Sequence, residues 1–207
     1  MKRAFKSVPI LAMISLFSLS CASTKTTLTW VWQNENYQGG LLDDIMVVGV
    51  SDNFERRKLF EDIMVEEFED RDVKAVSSAT VIPEEEELTR ERILVEVEKL
   101  GLDAILITYL LWVKEEDKFV PPATSEYPAT FDIYSYATGI YSTYGGSYSE
   151  EATIKLDTHV YEAESQMMIW SAKSRTILKG DDKRVSKLAD TLASAVIKDL
   201  RKKKLIE

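Results

Sequence analysis

Cysteine and histidine are almost absent from this chain of 207 residues: Cys21 is the only cysteine and His159 the only histidine. The usual zinc sites need several thiolate or imidazole ligands, so they are excluded. Any Ser-His-Asp or Cys-His arrangement would have to use His159, which alternates with Lys155 and Asp157 along a strand-like segment. We therefore predict that His159 is a solvated strand residue, and we predict no catalytic residue and no metal ligand.

Motifs that hold phosphates or calcium are missing too. No glycine-rich phosphate loop and no dinucleotide fingerprint follows a predicted strand. The acidic run Glu84 to Glu87 lacks the ligand spacing of a calcium loop and is better explained as a solvated helix start. An enzyme using paired carboxylates would need two converging acidic side chains, and no such pair is visible. The sequence thus predicts a protein that is not an enzyme and has no cofactor.

The chain also lacks an apolar run of about 20 residues, the length that crosses a bilayer. Its apolar core at 8–19 is shorter, follows three positive residues and leads into small residues around Cys21. This order is typical of a secretory signal. The segment resembles the type II signal of bacterial lipoproteins. That resemblance implies a signal peptide at 1–20, lipid attachment at Cys21 and, because Ala22 follows, the periplasmic face of the outer membrane.

Positive charge is in short supply. The leader holds three of the 26 Lys and Arg residues and no acidic residue, so its removal leaves 23 against 35 Asp and Glu, a net charge of −12. An acidic surface argues against nucleic acid and against anionic membrane surfaces as partners. The predicted partners are the membrane, through the lipid anchor, and an envelope protein. With its thiol acylated, the domain has no disulfide and is held by packing.

What the chain does have is an alternation of short apolar runs with amphipathic helices. The continuous apolar run at 45–50 predicts a central strand covered on both sides. The remaining periodic segments predict helices at 55–70, 89–100 and 185–200, and strands at 73–76, 104–113, 153–161 and 167–177. We predict a single α/β (α+β) domain at 41–207, with a mixed sheet of about five strands, helices packed on it, and the order β-α-β-α-β-β-β-α. Residues 21–40 are predicted to form a lipidated tether and an arm. Within them, the alternating segment at 28–32 is either a short strand or an arm laid on the domain.

One ion pair is predicted within the first helix. Arg57 and Glu61 lie one helical turn apart, a spacing that favours pairing on an exposed helix face. A buried pair that fixes the helix on the sheet is the alternative.

The segment 119–151 is rich in tyrosine and has no helical or strand period. It holds six of the nine tyrosines: Tyr127, Tyr134, Tyr136, Tyr141, Tyr144 and Tyr148. Tyrosine is enriched at binding surfaces because it combines a large contact area with a polar tip, so these six are the candidate partner-binding residues. The other interpretations are a loop whose rings pack on the domain's own sheet, and a disordered segment.

Several short motifs carry a second resemblance, which spans most of the chain after the leader. They are Val47 to Val50, Arg56 to Asp62, Lys99 to Ile107 and Met168 to Ala172. Together they resemble a group of bacterial envelope lipoproteins. The topology is similar to the amino-terminal domain of TolB and to the periplasmic domain of the curli secretion lipoprotein. The resemblance implies interaction duties in the envelope and not catalysis.

Two functional hypotheses follow. The first is a non-catalytic interaction or assembly component of the cell envelope, anchored by lipid. The second is a periplasmic binder of a small apolar or glycan ligand, with the tyrosine-rich segment as a lid. A cavity lined by Trp112, Tyr109 or Trp170 would favour the second hypothesis.

Overall fold

The computed structural model describes residues 24–114, 151–179 and 184–207. The predicted signal peptide, Cys21 and the six candidate tyrosines lie outside the described residues. The strands are β1 (Lys25–Gln33), β2 (Asp44–Gly49), β3 (Lys74–Ser77), β4 (Ala104–Lys114), β5 (Glu151–Glu162) and β6 (Met168–Lys179). The helices are α1 (Phe54–Glu69), α2 (Ser78–Val81), α3 (Arg90–Leu100) and α4 (Arg184–Lys202).

The strands form one mixed sheet of six strands in the order β1-β6-β5-β4-β2-β3. Strand β2 is parallel to β3 and β4, whereas β5 is antiparallel to β4 and β6, and β1 is antiparallel to β6. The predicted α/β class with a mixed sheet is confirmed. The sixth strand is β1, because the predicted arm pairs along its length with β6. Thr26, which lies in the segment predicted to be tether and arm, is buried in that strand.

Helices cover the two faces of the sheet unequally. Helices α1 and α4 pack on one face through residues such as Met64 and Val196, which are fully buried. The other face carries a second core in which Ile93 and Val97 of α3 pack with residues of β2, β4 and β5. Residues 45–48 of β2 alternate between the two cores and none of them is exposed, as the continuous apolar run predicted.

The Arg57–Glu61 pair is buried, so the preferred helix-face interpretation is wrong and the alternative is right. The side chains are 5% and 0% exposed, and Arg57 Nε lies 3.1 Å from Glu61 Oε1. The pair has the predicted helical spacing, but this turn of α1 faces the carboxyl ends of β2 and β3. The guanidinium also donates to Ser78 Oγ at 3.1 Å and lies over the ring of Phe54.

Helix α3 begins later than the acidic run suggested. Thr89 accepts a hydrogen bond of 3.0 Å from the amide of Arg92, which is the cap of a helix that starts at Arg90. The segment Glu84 to Glu87 lies in the turn before it, so its predicted role as a helix start is wrong. Gly101 ends the helix in the left-handed conformation (φ 67°). Within the described ranges, no helix has the length and apolar character needed to cross a bilayer.

Candidate functional site

Strand register brings a set of aromatic and charged residues together on the sheet face opposite α1 and α4. Trp30 of β1 lies opposite Lys173 of β6, which lies opposite Asp157 of β5. In the next row, Trp32 lies opposite Ser171, which lies opposite His159. Directly opposed residues of antiparallel strands share a face. We call this surface of β1, β6 and β5 the β1 face.

The outer part of the β1 face is aromatic and open to solvent. Trp30 is 40% exposed and Trp32 is 36% exposed, and they stand on the outermost strand of the sheet. The ammonium of Lys173 lies 6.0 Å from the ring centroid of Trp30, at the limit of a cation–π contact. Two large apolar rings at a sheet edge are unusual for a surface that contacts water alone, because they are better suited to the centre of an interface.

The inner part of the β1 face is buried, which overturns our prediction for His159. Its side chain is 6% exposed and Asp157 is 1% exposed. The imidazole makes an edge contact with Tyr109, at 5.6 Å between ring centroids, and a tilted contact with Tyr161 at 6.2 Å. The alternation along β5 identified the correct face. It gave no information on how deeply that face is covered.

Burial and a nearby charge suppress protonation of this histidine. Desolvation is the larger cause and the positive charge of Lys173 the smaller, and together they lower the pKa of His159 to about 4. The Nε2 atom lies 3.6 Å from Asp157 Oδ1, which is longer than a hydrogen bond. His159 is therefore neutral at neutral pH, and its contact with Asp157 is not an ion pair there.

Among the residues whose side chains the structure describes, four cations lie on the β1 face. Lys25, Lys155 and Arg175 are exposed and Lys173 is half-buried. By register, Glu151 of β5 and Lys179 of β6 lie opposite each other on the same face. Arg175 of β6 lies opposite both Thr27 of β1 and Lys155 of β5, so the cations group toward the end of the face where β1 begins. We call these four residues the cationic strip.

The residues named as alternatives for the lining of a ligand cavity do not lie on one face of the sheet. Tyr109 belongs to the core on the α3 side of the sheet, whereas Trp170 belongs to the core under α1 and α4. Trp170 is fully buried and its indole donates to Asp199 Oδ2 at 2.9 Å. Trp112 lies on β4, and its side chain is outside the described part of the chain. Since a sheet separates Tyr109 from Trp170, they line no common pocket.

The sequence holds a signal for the shared face of the two tryptophans. Trp30 and Trp32 are two positions apart, the spacing that puts strand residues on one face. What the sequence did not show is that this strand is the sheet's edge and that Lys173 lies beside Trp30. Nor do the described residues contain a group of three or more His, Cys, Asp and Glu side chains placed to hold a metal ion.

Fold and site together define a class: a mixed α/β domain with an aromatic and cationic face on an edge strand. No protein-family model matches the chain and no curated protein matches it in sequence. Among solved structures it is similar to the PelC dodecamer of Paraburkholderia phytofirmans, with a TM-score of 0.45 and 10% identity over 83% of this chain and 94% of that chain. It is also similar to the lipoprotein GNA1162 of Neisseria meningitidis, with a TM-score of 0.40 and 14% identity over 77% and 98%. Similarities of this degree assign no function, and the resemblance to TolB and the curli lipoprotein stays a prediction.

Proposed function

We propose that the chain is a lipid-anchored, non-catalytic interaction protein of the bacterial envelope that holds another envelope protein along strand β1. Acylation of Cys21 at the periplasmic face of the outer membrane is part of this proposal and rests on the leader. The observation that carries the binding role is the pair of exposed tryptophans, Trp30 and Trp32, on the outermost strand of the sheet.

Strand β1 offers both backbone and side-chain contacts. It spans nine residues, and among the described strands only β6 pairs with it, along one of its edges. An extended segment of a partner adds to such an edge through main-chain hydrogen bonds, while alternate side chains supply specificity. The register shift between Leu28 and Trp30 divides the edge, so the part from Trp30 to Gln33 is the best candidate for pairing.

The side chains of this face define the partner's chemistry. Trp30 and Trp32 suit apolar or aromatic side chains at every second position of the added strand, because strand residues alternate between faces. Lys173, next to Trp30, suits an acidic residue beside them. The acyl anchor would confine chain and partner to one surface and so raise their effective concentration. The tyrosine-rich segment remains a second, predicted contact.

The test is in-cell crosslinking of the anchored protein followed by identification of its neighbours. In a Trp30→Ser/Trp32→Ser variant we expect the main crosslinked neighbour to be lost. Leu59 and Leu100 are exposed apolar residues of α1 and α3, 44% and 42% exposed, so Leu59→Ser/Leu100→Ser is the matched control and should keep that neighbour.

The same experiment separates the two candidate contacts. If the neighbours recovered from the tryptophan variant equal those of the native protein, the β1 face is not the binding site. A Tyr134→Ser/Tyr136→Ser/Tyr141→Ser variant then asks the same question of the tyrosine-rich segment. Intact-mass analysis of the exported chain tests the anchor, which is refuted by an unmodified Cys21.

A further inference from the structure

We infer that the partner held along strand β1 is a second copy of this chain, which pairs antiparallel with the first about a two-fold axis at Val31. The inference rests on the proposed function, because it uses the same strand edge and names what binds there. Three features of the described residues support it: the direction of the backbone groups of β1, the difference between the two halves of this strand, and the opposite charges at its ends.

The backbone groups of Val31 and Gln33 point away from β6. The amide of Asn34 donates a hydrogen bond of 2.9 Å to the carbonyl oxygen of Ile169 in β6. Because backbone groups alternate in direction along a strand, Trp32 also directs its amide and carbonyl toward β6, whereas Val31 and Gln33 direct theirs to the open side. Among the described strands, none pairs with β1 on that side. An antiparallel second copy therefore places Val31 opposite its own counterpart, and the two residues exchange two hydrogen bonds.

This register brings apolar side chains of the two copies together on both faces of the sheet. Directly opposed residues share a face, so Trp30 of each copy lies opposite Trp32 of the other on the β1 face. These are non-hydrogen-bonded positions, where Cα atoms come within about 4.5 Å and side chains pack most closely. The two Val31 side chains meet on the opposite face, next to the core under α1 and α4 against which Val31 packs. One pairing therefore covers both exposed tryptophans of each copy.

The two halves of β1 differ in how they resist pairing with another chain. The first half contains Lys25 and the register shift at Thr29, and both a lysine and a bulge discourage pairing at a sheet edge. The second half, at 30–33, contains Val31 and Trp32 and has neither a charged residue nor a proline. Aromatic and β-branched residues are favoured in strands. The second half is therefore suited to pairing, and the first half restricts the added strand to that segment.

The ends of the pairing segment carry opposite charges. Glu35 follows the segment and is exposed. Lys25 precedes it, and Arg175 lies opposite Thr27 on the neighbouring strand; both cations are exposed members of the cationic strip. Because the copies run antiparallel, Glu35 of each copy approaches the end of the other copy where Lys25 and Arg175 lie. A parallel pair would bring like charges together instead, so the charges favour the two-fold arrangement.

A cysteine introduced at position 31 tests this register in the cell envelope. Acylation occupies the thiol of Cys21, so the introduced residue carries the only free thiol of the full chain. Hydrogen-bonded residues opposed in an antiparallel pair have Cα atoms about 5.5 Å apart, which is within disulfide range. We expect Val31→Cys to give a disulfide-linked dimer on non-reducing electrophoresis. The native chain, run beside it, reports any disulfide through Cys21.

The matched control is Gln33→Cys on the same strand. Gln33 is half-buried like Val31, but its counterpart in the other copy lies four residues farther along the pair, about 14 Å away. It should therefore give little dimer. Equal amounts of dimer from both variants would show collision without a fixed register and overturn the inference, as would a folded Val31→Cys protein that gives no dimer. Circular dichroism establishes that both variants are folded.

Charge reversal tests the antiparallel ends. Glu35→Lys should raise the dissociation constant of the dimer by about threefold or more, because two exposed ion pairs are replaced by repulsion. Sedimentation of the acylated chain in detergent measures it, and Glu35→Lys/Lys25→Glu should restore most of the affinity. Lys198→Glu changes an exposed residue of α4 and should leave the dissociation constant unchanged. No weakening by Glu35→Lys, or no recovery in the double variant, would contradict the antiparallel arrangement.

A partner of different sequence is the competing occupant of this edge. If Val31→Cys gives no dimer while Trp30→Ser/Trp32→Ser still loses its main crosslinked neighbour, strand β1 holds another protein. The proposed function then stands and the second copy is refuted. A tryptophan variant that keeps every neighbour of the native protein refutes the proposed function instead.

Discussion

The amide of Gly49 donates a hydrogen bond of 2.8 Å to Oε1 of Glu61 and so ties the end of β2 to the middle of α1. The carboxylate is wholly buried, and it also contacts Arg57 and the start of α2. Its other donors are the hydroxyls of Ser77 and Ser78, at 2.8 and 2.7 Å, and the amide of Ala79, at 2.6 Å. A buried charge with every oxygen satisfied holds one geometry, because any shift of α1 would leave donors unpaired.

Replacement of Glu61 should therefore be costly. We expect Glu61→Ala to lower the free energy of unfolding by about 3–5 kcal/mol, because Arg57 is left as an uncompensated buried charge. The measurement is urea denaturation. Lys58 and Asp62 form an exposed pair at the same spacing on the same helix, so Asp62→Ala is the control and should leave the midpoint almost unchanged. Similar losses in both variants would contradict a special role for the buried carboxylate.

A side chain at position 49 should destabilise the protein. A Cβ at this position would lie 2.9 Å from Cδ1 of Phe60 and 3.6 Å from Cγ of Glu61. Gly49→Ala is therefore expected to cost about 1–3 kcal/mol through overpacking. Gly40→Ala meets nothing within 4 Å and serves as the control in the same thermal or urea unfolding measurement. Partial rescue by Phe60→Leu would identify the ring as the cause; a Gly49→Ala protein as stable as the native one would refute the close approach.

The single histidine makes its titration directly observable. The pKa of His159 is lowered from 6.5 to about 4 in the folded protein, so the unfolded chain binds the proton more tightly. Stability contributed by the neutral imidazole is present above pH 6.5 and is lost as the pH falls toward 4. The loss amounts to about 3 kcal/mol when complete. We expect the native protein to lose more stability than a His159→Phe variant between pH 7 and pH 4.5.

Nuclear magnetic resonance measures the pKa of His159 in the folded protein, since one histidine gives one set of imidazole signals. The chemical shift should titrate near pH 4, and Lys173→Met should move the midpoint upward because it removes the smaller of the two causes. A midpoint near 6.5 in the native protein would show that the imidazole is solvated, as the sequence alone had suggested.

Sequence periodicity was sufficient to predict the helices and strands, but it was not sufficient to predict which of their side chains are buried. The helix predicted at 55–70 and the strand predicted at 104–113 match α1 and β4 closely, because an amphipathic helical pattern and a long apolar run are local properties of the sequence. The burial of Glu61 and His159 depends on elements far away in the chain, and both predictions of solvated side chains were wrong. The edge position of β1 depends on β6, more than 130 residues later, so no local pattern specified the site.

The contact between Trp30 and Lys173 should be measurable as a coupling. Their separation of 6.0 Å, from ammonium to ring centroid, predicts a coupling energy of about 0.5–1 kcal/mol in a double-mutant cycle with Trp30→Leu and Lys173→Met. Trp32 lies opposite Ser171 instead, so a cycle of Trp32→Leu with Lys173→Met is the control and should give a coupling near zero. Urea unfolding of the single and double variants supplies both cycles.

If Trp32 couples to Lys173 as strongly as Trp30 does, the effect is a general property of the β1 face. If neither couples, the ammonium does not rest on the ring, and the acidic partner residue proposed beside Trp30 loses its structural basis.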